Sequence, residues 1–151
     1  MPAVYLAGPI SHETYDDVTE WRNQVTVRLV QIGFRVLNPM RGKEALRDVG
    51  LLKPTGYAAE GILSGKSLVR RDLGDIVAAD AVIINFAGAR EKSLGSIAEL
   101  GYARGKGKHV VVVMSADDIH DHIFVHELAD VVVETLDEAI SWLRTLYEAY
   151  L

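Results

Sequence analysis

Apolar and polar positions along the chain follow two rhythms. Ala3 to Ala7 is a short apolar run closed by Gly8-Pro9, which predicts a first strand. Asp16 to Gln31 carries Val18, Trp21, Val25, Leu29 and the adjoining Ile32 near one face, the spacing of an amphipathic helix, and Gly33 fits its stop. Phe34 to Leu37 reads as a second strand, ended by Asn38-Pro39. Ser67 to Ala79 reads as a helix with Leu68, Leu73, Ile76 and Val77 inward. Ala81 to Phe86 is apolar almost without a break, as expected of a strand buried on both faces. A helix over Ser96 to Lys106, a buried strand over His109 to Met114, a short last strand over Val131 to Val133 and a closing helix over Leu136 to Tyr150 complete the pattern.

Strands alternating with helices across short connections predict an α/β fold with a parallel sheet covered on both sides. Five strands suggest a flavodoxin-like (Rossmann-like) three-layer sandwich of order 2-1-3-4-5, in which ligands bind beyond the carboxyl ends of the strands. Those ends are Ala7 to Ile10, Asn38 to Arg41, Phe86 to Gly95 and Ser115 to His126. Gly50 to Lys66, with four glycines and a proline, has no clean period. It reads equally as a binding loop or as a surface connection.

Composition narrows the class. The 151 residues predict one domain over 1–151, and 49% apolar with 25% charged residues is ordinary for a globular chain. With no cysteine, disulfide staples, thiolate-bound zinc and thiol catalysis are excluded. A net charge of −5 disfavours a nucleic-acid polymer as partner, while a small anion held by local donors is compatible. No stretch approaches the ~18 apolar residues of a membrane helix, and the N-terminus lacks the basic-then-apolar order of a signal peptide. A cytoplasmic protein without membrane association is expected.

Several constellations bear on chemistry. Gly65-Lys66-Ser67 resembles the end of a phosphate loop, but Glu60 stands where that loop needs glycine. His120, His122 and His126 lack a second ligand group at defined spacing, so solvated histidines are expected rather than a metal centre. Ser93 to Ala103 follows a buried strand and opens a helix. Ser96 with Glu99 has the spacing of a capping box, in which Glu99 would only cap its helix. Alternatively, Glu99 stands in the first turn and faces the site, where the helix end favours its ionised form and suits it to nucleophilic attack.

At these residues the chain resembles the nucleoside 2-deoxyribosyltransferase family over nearly its whole length. The matching pieces are Val4 to Ile10, Leu37 to Gly42, Arg71-Asp72-Leu73 with Asp75-Ile76 and Ala79-Asp80, and Ser93-Leu94-Gly95 leading to Glu99 to Ala103. The resemblance implies a flavodoxin-like homo-oligomer that moves a 2-deoxyribosyl group between nucleobases through a covalent glycosyl–enzyme intermediate. It implies Glu99 as nucleophile, Asp72 as the acid on the base side and Tyr5 as the group orienting Glu99. Gly8, Ile10, Met40, Arg41 and Gly95 fall at motif positions expected to bind substrate. No metal or cofactor is implied.

Two positions depart from the transferase pattern. Ser93 stands where the family has a carboxylate six residues before the nucleophile. This resembles the related 2′-deoxynucleoside 5′-monophosphate N-glycosidases, where a hydroxyl helps hold phosphate, although Ser93 could equally cap the helix. His122 and Phe124 fall in the segment expected to complete a neighbouring subunit's site. The lead reading is therefore a transferase, with a nucleotide hydrolase as alternative and a non-catalytic nucleotide-binding module as a third possibility. The apolar closing helix, with Ile140, Trp142, Leu143, Leu146, Tyr147 and Tyr150, suggests a subunit interface.

Overall fold

A computed structural model describes residues 1–149. Strands β1 (Ala3–Ala7), β2 (Arg35–Leu37), β3 (Ala81–Asn85), β4 (His109–Val113) and β5 (Val131–Val133) form one parallel sheet of order β2-β1-β3-β4-β5. Helices α1 (Tyr15–Gln31), α2 (Gly65–Ala78), α3 (Leu94–Gly105), α4 (Ile123–Leu128) and α5 (Leu136–Glu148) cover it. The chain thus has the α/β sandwich and strand order its sequence pattern predicts.

Alternation along the strands builds two cores. Val4, Leu6, Ala81, Ile83, Val111 and Val113 point to one face, where α1 and α5 pack with Val25, Leu29, Ala139 and Leu143. Tyr5, Ala7, Val82, Ile84, Val110 and Val112 point to the other and meet Ile76 of α2, Leu100 and Ala103 of α3 and Val125 of α4. The chain leaves β1 in one direction to reach β2 and in the other to reach β3, so the sheet's switch point lies between β1 and β3, where a crevice opens at the strand ends.

Some local expectations change. Helix α3 begins at Leu94 and not Ser96, because Ser93 is the N-cap, its side chain accepting from the Ser96 amide. Ser96 is therefore inside the helix, and no Ser96–Glu99 capping box forms; Glu99 lies in the second turn. The segment after β4 is not all loop, since α4 begins at Ile123 behind the N-cap His122. Val77 is half exposed rather than inward. Part of the closing helix's apolar face is used within its own chain: Ile140 and Leu143 join the core, Trp142 and Tyr147 pack against it, and Tyr147 meets Phe34 edge-on at 5.2 Å. Trp142 and Tyr147 are only partly buried and Leu146 stays half-buried outside that cluster; Tyr150 lies outside the described residues. Exposed large apolar side chains occur at Leu94, Ile123 and Phe124.

The irregular segment 50–66 is tied down near its start and bonded to itself further along. The His12 amide donates to the Leu52 carbonyl and the Leu52 amide to the Glu13 carbonyl, both at 2.8 Å, while Tyr57 and Leu63 share a backbone bond of 2.9 Å. Leu52 packs with Tyr15, Val18, Met40 and Leu46 in a third apolar cluster. Among the described residues no helix is long and apolar enough to cross a membrane.

Candidate active site

The crevice holds a pocket of about 460 Å³ whose lining includes Gly8, Ile10, Met40, Lys43, Lys53, Tyr57, Asp72, Ser93, Gly95 and Glu99. Five segments converge on it: the end of β1, the turn after β2, the 50–66 segment, α2, and the start of α3.

The turn after β1 has to be glycine. Gly8 has φ +153°, and a Cβ there would sit 2.7 Å from the Asn85 carbonyl oxygen. The close approach of β1 and β3 ends leaves room for backbone only. Beneath this turn Arg22 of α1 is fully buried, its guanidinium donating to the carbonyls of Leu6, Val18 and Gly8 at 3.2, 2.7 and 3.0 Å. Burial lowers its pKa to about 10, partly offset by the nearby Tyr5, Glu99 and Asp72. It is a fixed cation under an acidic site.

At the pocket floor the Tyr5 hydroxyl donates to Glu99 Oε1 at 2.8 Å. Tyr5 is itself buried and does not line the pocket, so it holds Glu99 from behind. Desolvation, then the Asp72 charge, push the Glu99 pKa up to about 7 against the opposing Tyr5 bond. The helix-end effect expected to keep Glu99 ionised is thus outweighed, because Glu99 sits one turn deeper than expected and burial disfavours its charge. Burial also raises the Asp72 carboxyl, with Lys43 and Arg71 opposing. The Asp72 charge is the second cause of the Glu99 shift, so the two carboxyls do not ionise independently.

Not every expected residue reaches the pocket. Gly8, Ile10, Met40, Asp72, Ser93, Gly95 and Glu99 do. Arg41 does not: it clasps Asp75 with two bonds of 2.6 and 2.8 Å. His122 and Phe124 stand exposed at the start of α4, outside this chain's pocket, their rings 5.8 Å apart. Ser93 lines the pocket, but its hydroxyl is engaged in the cap and lies 2.8 Å from the Ser96 hydroxyl. No cluster of three metal-ligating side chains occurs among the described residues. The histidines instead serve locally: buried His120 stacks on Phe86 at 4.0 Å, accepts the Ser93 amide at Nε2 and pairs with Asp118 through Nδ1. This network requires the proton on Nδ1.

Sequence reasoning missed Lys43, Arg22 and His120 as parts of the site. Arg22 left a signal, since it falls on the same stripe as Val18, Val25 and Leu29, where a surface cation does not belong. His120 stood in a strand-end segment but was expected to be solvated, whereas it is buried. Lys43 left no signal, and only folding brings it to the pocket.

An open parallel sheet with paired carboxylates at its switch point is the build of an α/β small-molecule site. The family model for nucleoside 2-deoxyribosyltransferase matches residues 4–141, and the chain belongs to that family. Among solved structures, it is similar to a 2-deoxyribosyltransferase from Bacillus psychrosaccharolyticus, with TM-score 0.65, 19% identity and coverage of 91% of this chain and 90% of that one. A conserved protein from Enterococcus faecalis V583 gives TM-score 0.64 and 17% identity over 93% and 96% of the two chains. The CMP N-glycosidase BcmB of Clostridium botulinum gives TM-score 0.59 and 16% identity over 99% of each. At these identities the structures share the fold. No match is found among curated protein sequences.

Proposed function

We propose that this protein cleaves the N-glycosidic bond of 2′-deoxynucleosides and transfers the sugar to another nucleobase through a deoxyribosyl–Glu99 intermediate. The observation that carries this reading is the Glu99 carboxyl, held by the Tyr5 hydroxyl at 2.8 Å, in one pocket with Asp72. Breaking the bond builds positive charge on C1′ and the ring oxygen. An ionised Glu99 beneath C1′ stabilises that charge and captures the sugar, as the nucleophile does in retaining glycosidases. The bond's electron pair leaves with the base, which takes a proton from Asp72. The scheme places the charge on Glu99 and the proton on Asp72 once the substrate is bound. A second base then attacks C1′, releases Glu99 and returns a proton to Asp72. No cofactor enters this scheme. The exposed His122 and Phe124, with Leu94 and Ile123, suit a homo-oligomer in which they complete a neighbour's pocket.

A second reading, a 5′-monophosphate N-glycosidase, is favoured by the pocket's other end. Lys53, Lys92 and the start of α3 line it, with neutral Ser93 in place of a carboxylate. Cations and free amides at a helix start suit a phosphate.

Chromatography of the purified protein with deoxynucleosides and their monophosphates, each with and without acceptor base, separates the readings. New deoxynucleoside formed only with acceptor is the expected result. Base released from monophosphates alone assigns the hydrolase, and no turnover of either overturns both.

A further inference from the structure

Lys43 lies in the turn after β2, with its amide donating to the Met40 carbonyl and its carbonyl accepting from Leu46. It is 5% exposed, yet it lines the pocket beside Asp72 and Glu99. A buried ammonium is costly unless it is paired. Nearby carboxylates are taken by arginines, in Arg41–Asp75 and Arg71–Asp72, and Lys43 takes part in no ion pair among the described residues. Asp72 lines the same pocket, and its Oδ1 is buried without a hydrogen-bond partner, 4.0 Å from Arg71 Nε. A lysine serving only the fold would close on that carboxylate. Here no ion pair joins the two among the described residues, and both line one pocket with Glu99.

We propose that Lys43 is a catalytic residue for base departure: its ammonium donates a hydrogen bond to an acceptor of the nucleobase, a carbonyl oxygen or ring nitrogen, lying between Lys43 and Asp72. The inference rests on the glycosyl-transfer reading and deepens it. As the C1′–N bond breaks, its electron pair enters the base, and the acceptor atom facing Lys43 gains negative charge. The ammonium stabilises that charge without giving up its proton, while Asp72 donates to a base nitrogen and Glu99 forms the new bond to C1′. Fixed donors aimed at developing charge in a water-poor site are among the strongest catalytic devices. Lys43 thereby selects substrates whose leaving group presents an acceptor on that side.

The test compares two donors. One is a natural deoxynucleoside. The other is 4-nitrophenyl 2-deoxyriboside, whose phenolate departs without help. With Lys43→Gln, kcat/KM for the natural donor is expected to fall by about 100-fold or more. For the nitrophenyl donor the expected fall is under about tenfold, and Lys43→Arg should restore part of the difference by keeping a donor. Lys43→Met, similar in shape, replaces the glutamine variant if that variant does not fold. Equal losses on both donors, or no loss on either, overturn the role of Lys43 while leaving glycosyl transfer standing. A wild-type protein that turns over neither donor overturns the glycosyl-transfer reading and Lys43 with it.

Discussion

Asp72 and Asp75 stand three residues apart on α2, with side chains 17% and 11% exposed, and they live in opposite states. Asp75 receives the whole Arg41 fork, and both of its oxygens are bonded. Asp72 faces the pocket, has one oxygen without a partner and stands 4.0 Å from Arg71 Nε, too far for a hydrogen bond. Arg71 instead gives its Nη groups to the carbonyls of Arg41 and Pro39, fixing the turn that carries Lys43. Two carboxylates of like burial on one helix thus divide between holding the fold and holding unused hydrogen-bonding capacity. A pocket-lining carboxylate that no cation clasps is the one of the two placed to meet a substrate.

The largest effect is expected at Glu99. Glu99→Ala should lower kcat by roughly 1,000-fold or more with an unchanged circular dichroism spectrum, as for loss of a nucleophile. An active variant would end the covalent scheme.

The aspartate pair comes next, because it tests the comparison itself. Asp72→Asn should cost about 100- to 10,000-fold in kcat with little change in melting temperature, since it removes an acid. Asp75→Asn should do the reverse, costing roughly 1–3 kcal/mol of unfolding free energy in urea titration while activity stays near wild type, because it strands Arg41. If both variants lose stability and activity alike, the division between them is wrong.

A smaller effect concerns pH. The folded protein holds the Glu99 proton at about 7 against an ordinary 4.5, so in that window it binds more protons than the unfolded chain. Stability therefore falls as pH rises from about 4.5 to about 7, by on the order of 3 kcal/mol at about 1.4 kcal/mol per pH unit. Glu99→Gln should flatten this slope in melts between pH 5 and 8 and be more stable than wild type at pH 8. The smallest change is expected for Ser93→Ala, which loses the α3 cap and about 1 kcal/mol by thermal melting.

Much of this architecture was legible in the chain. The apolar runs at Ala81 to Phe86 and His109 to Met114 mark the central strands, because a strand buried on both faces has no polar positions to give. Their order follows from the strand–helix alternation, which leaves few ways to build a parallel sheet. Tyr5, Asp72 and Glu99 could be named from the sequence because they fall in the pieces that resemble the family's motifs. Helix α3 began two residues early because Ser93 and Ser96 are both competent caps. Only the backbone decides between them, and that choice removed the capping role from Glu99.

What the sequence by itself determined is the layer order, the strand ends where a site must lie and the family to which the chain belongs, because these rest on periodicity and on short local motifs. The tertiary structure alone decided which charges are paired and which are not. Arg41 could have faced a substrate but turned to Asp75, Lys43 was silent in the sequence but reached the pocket, and Arg22 became a buried cation beneath Gly8. Charge pairing depends on distances between residues far apart in the chain, and burial then fixes how strongly each charge is held. Neither is encoded in local spacing.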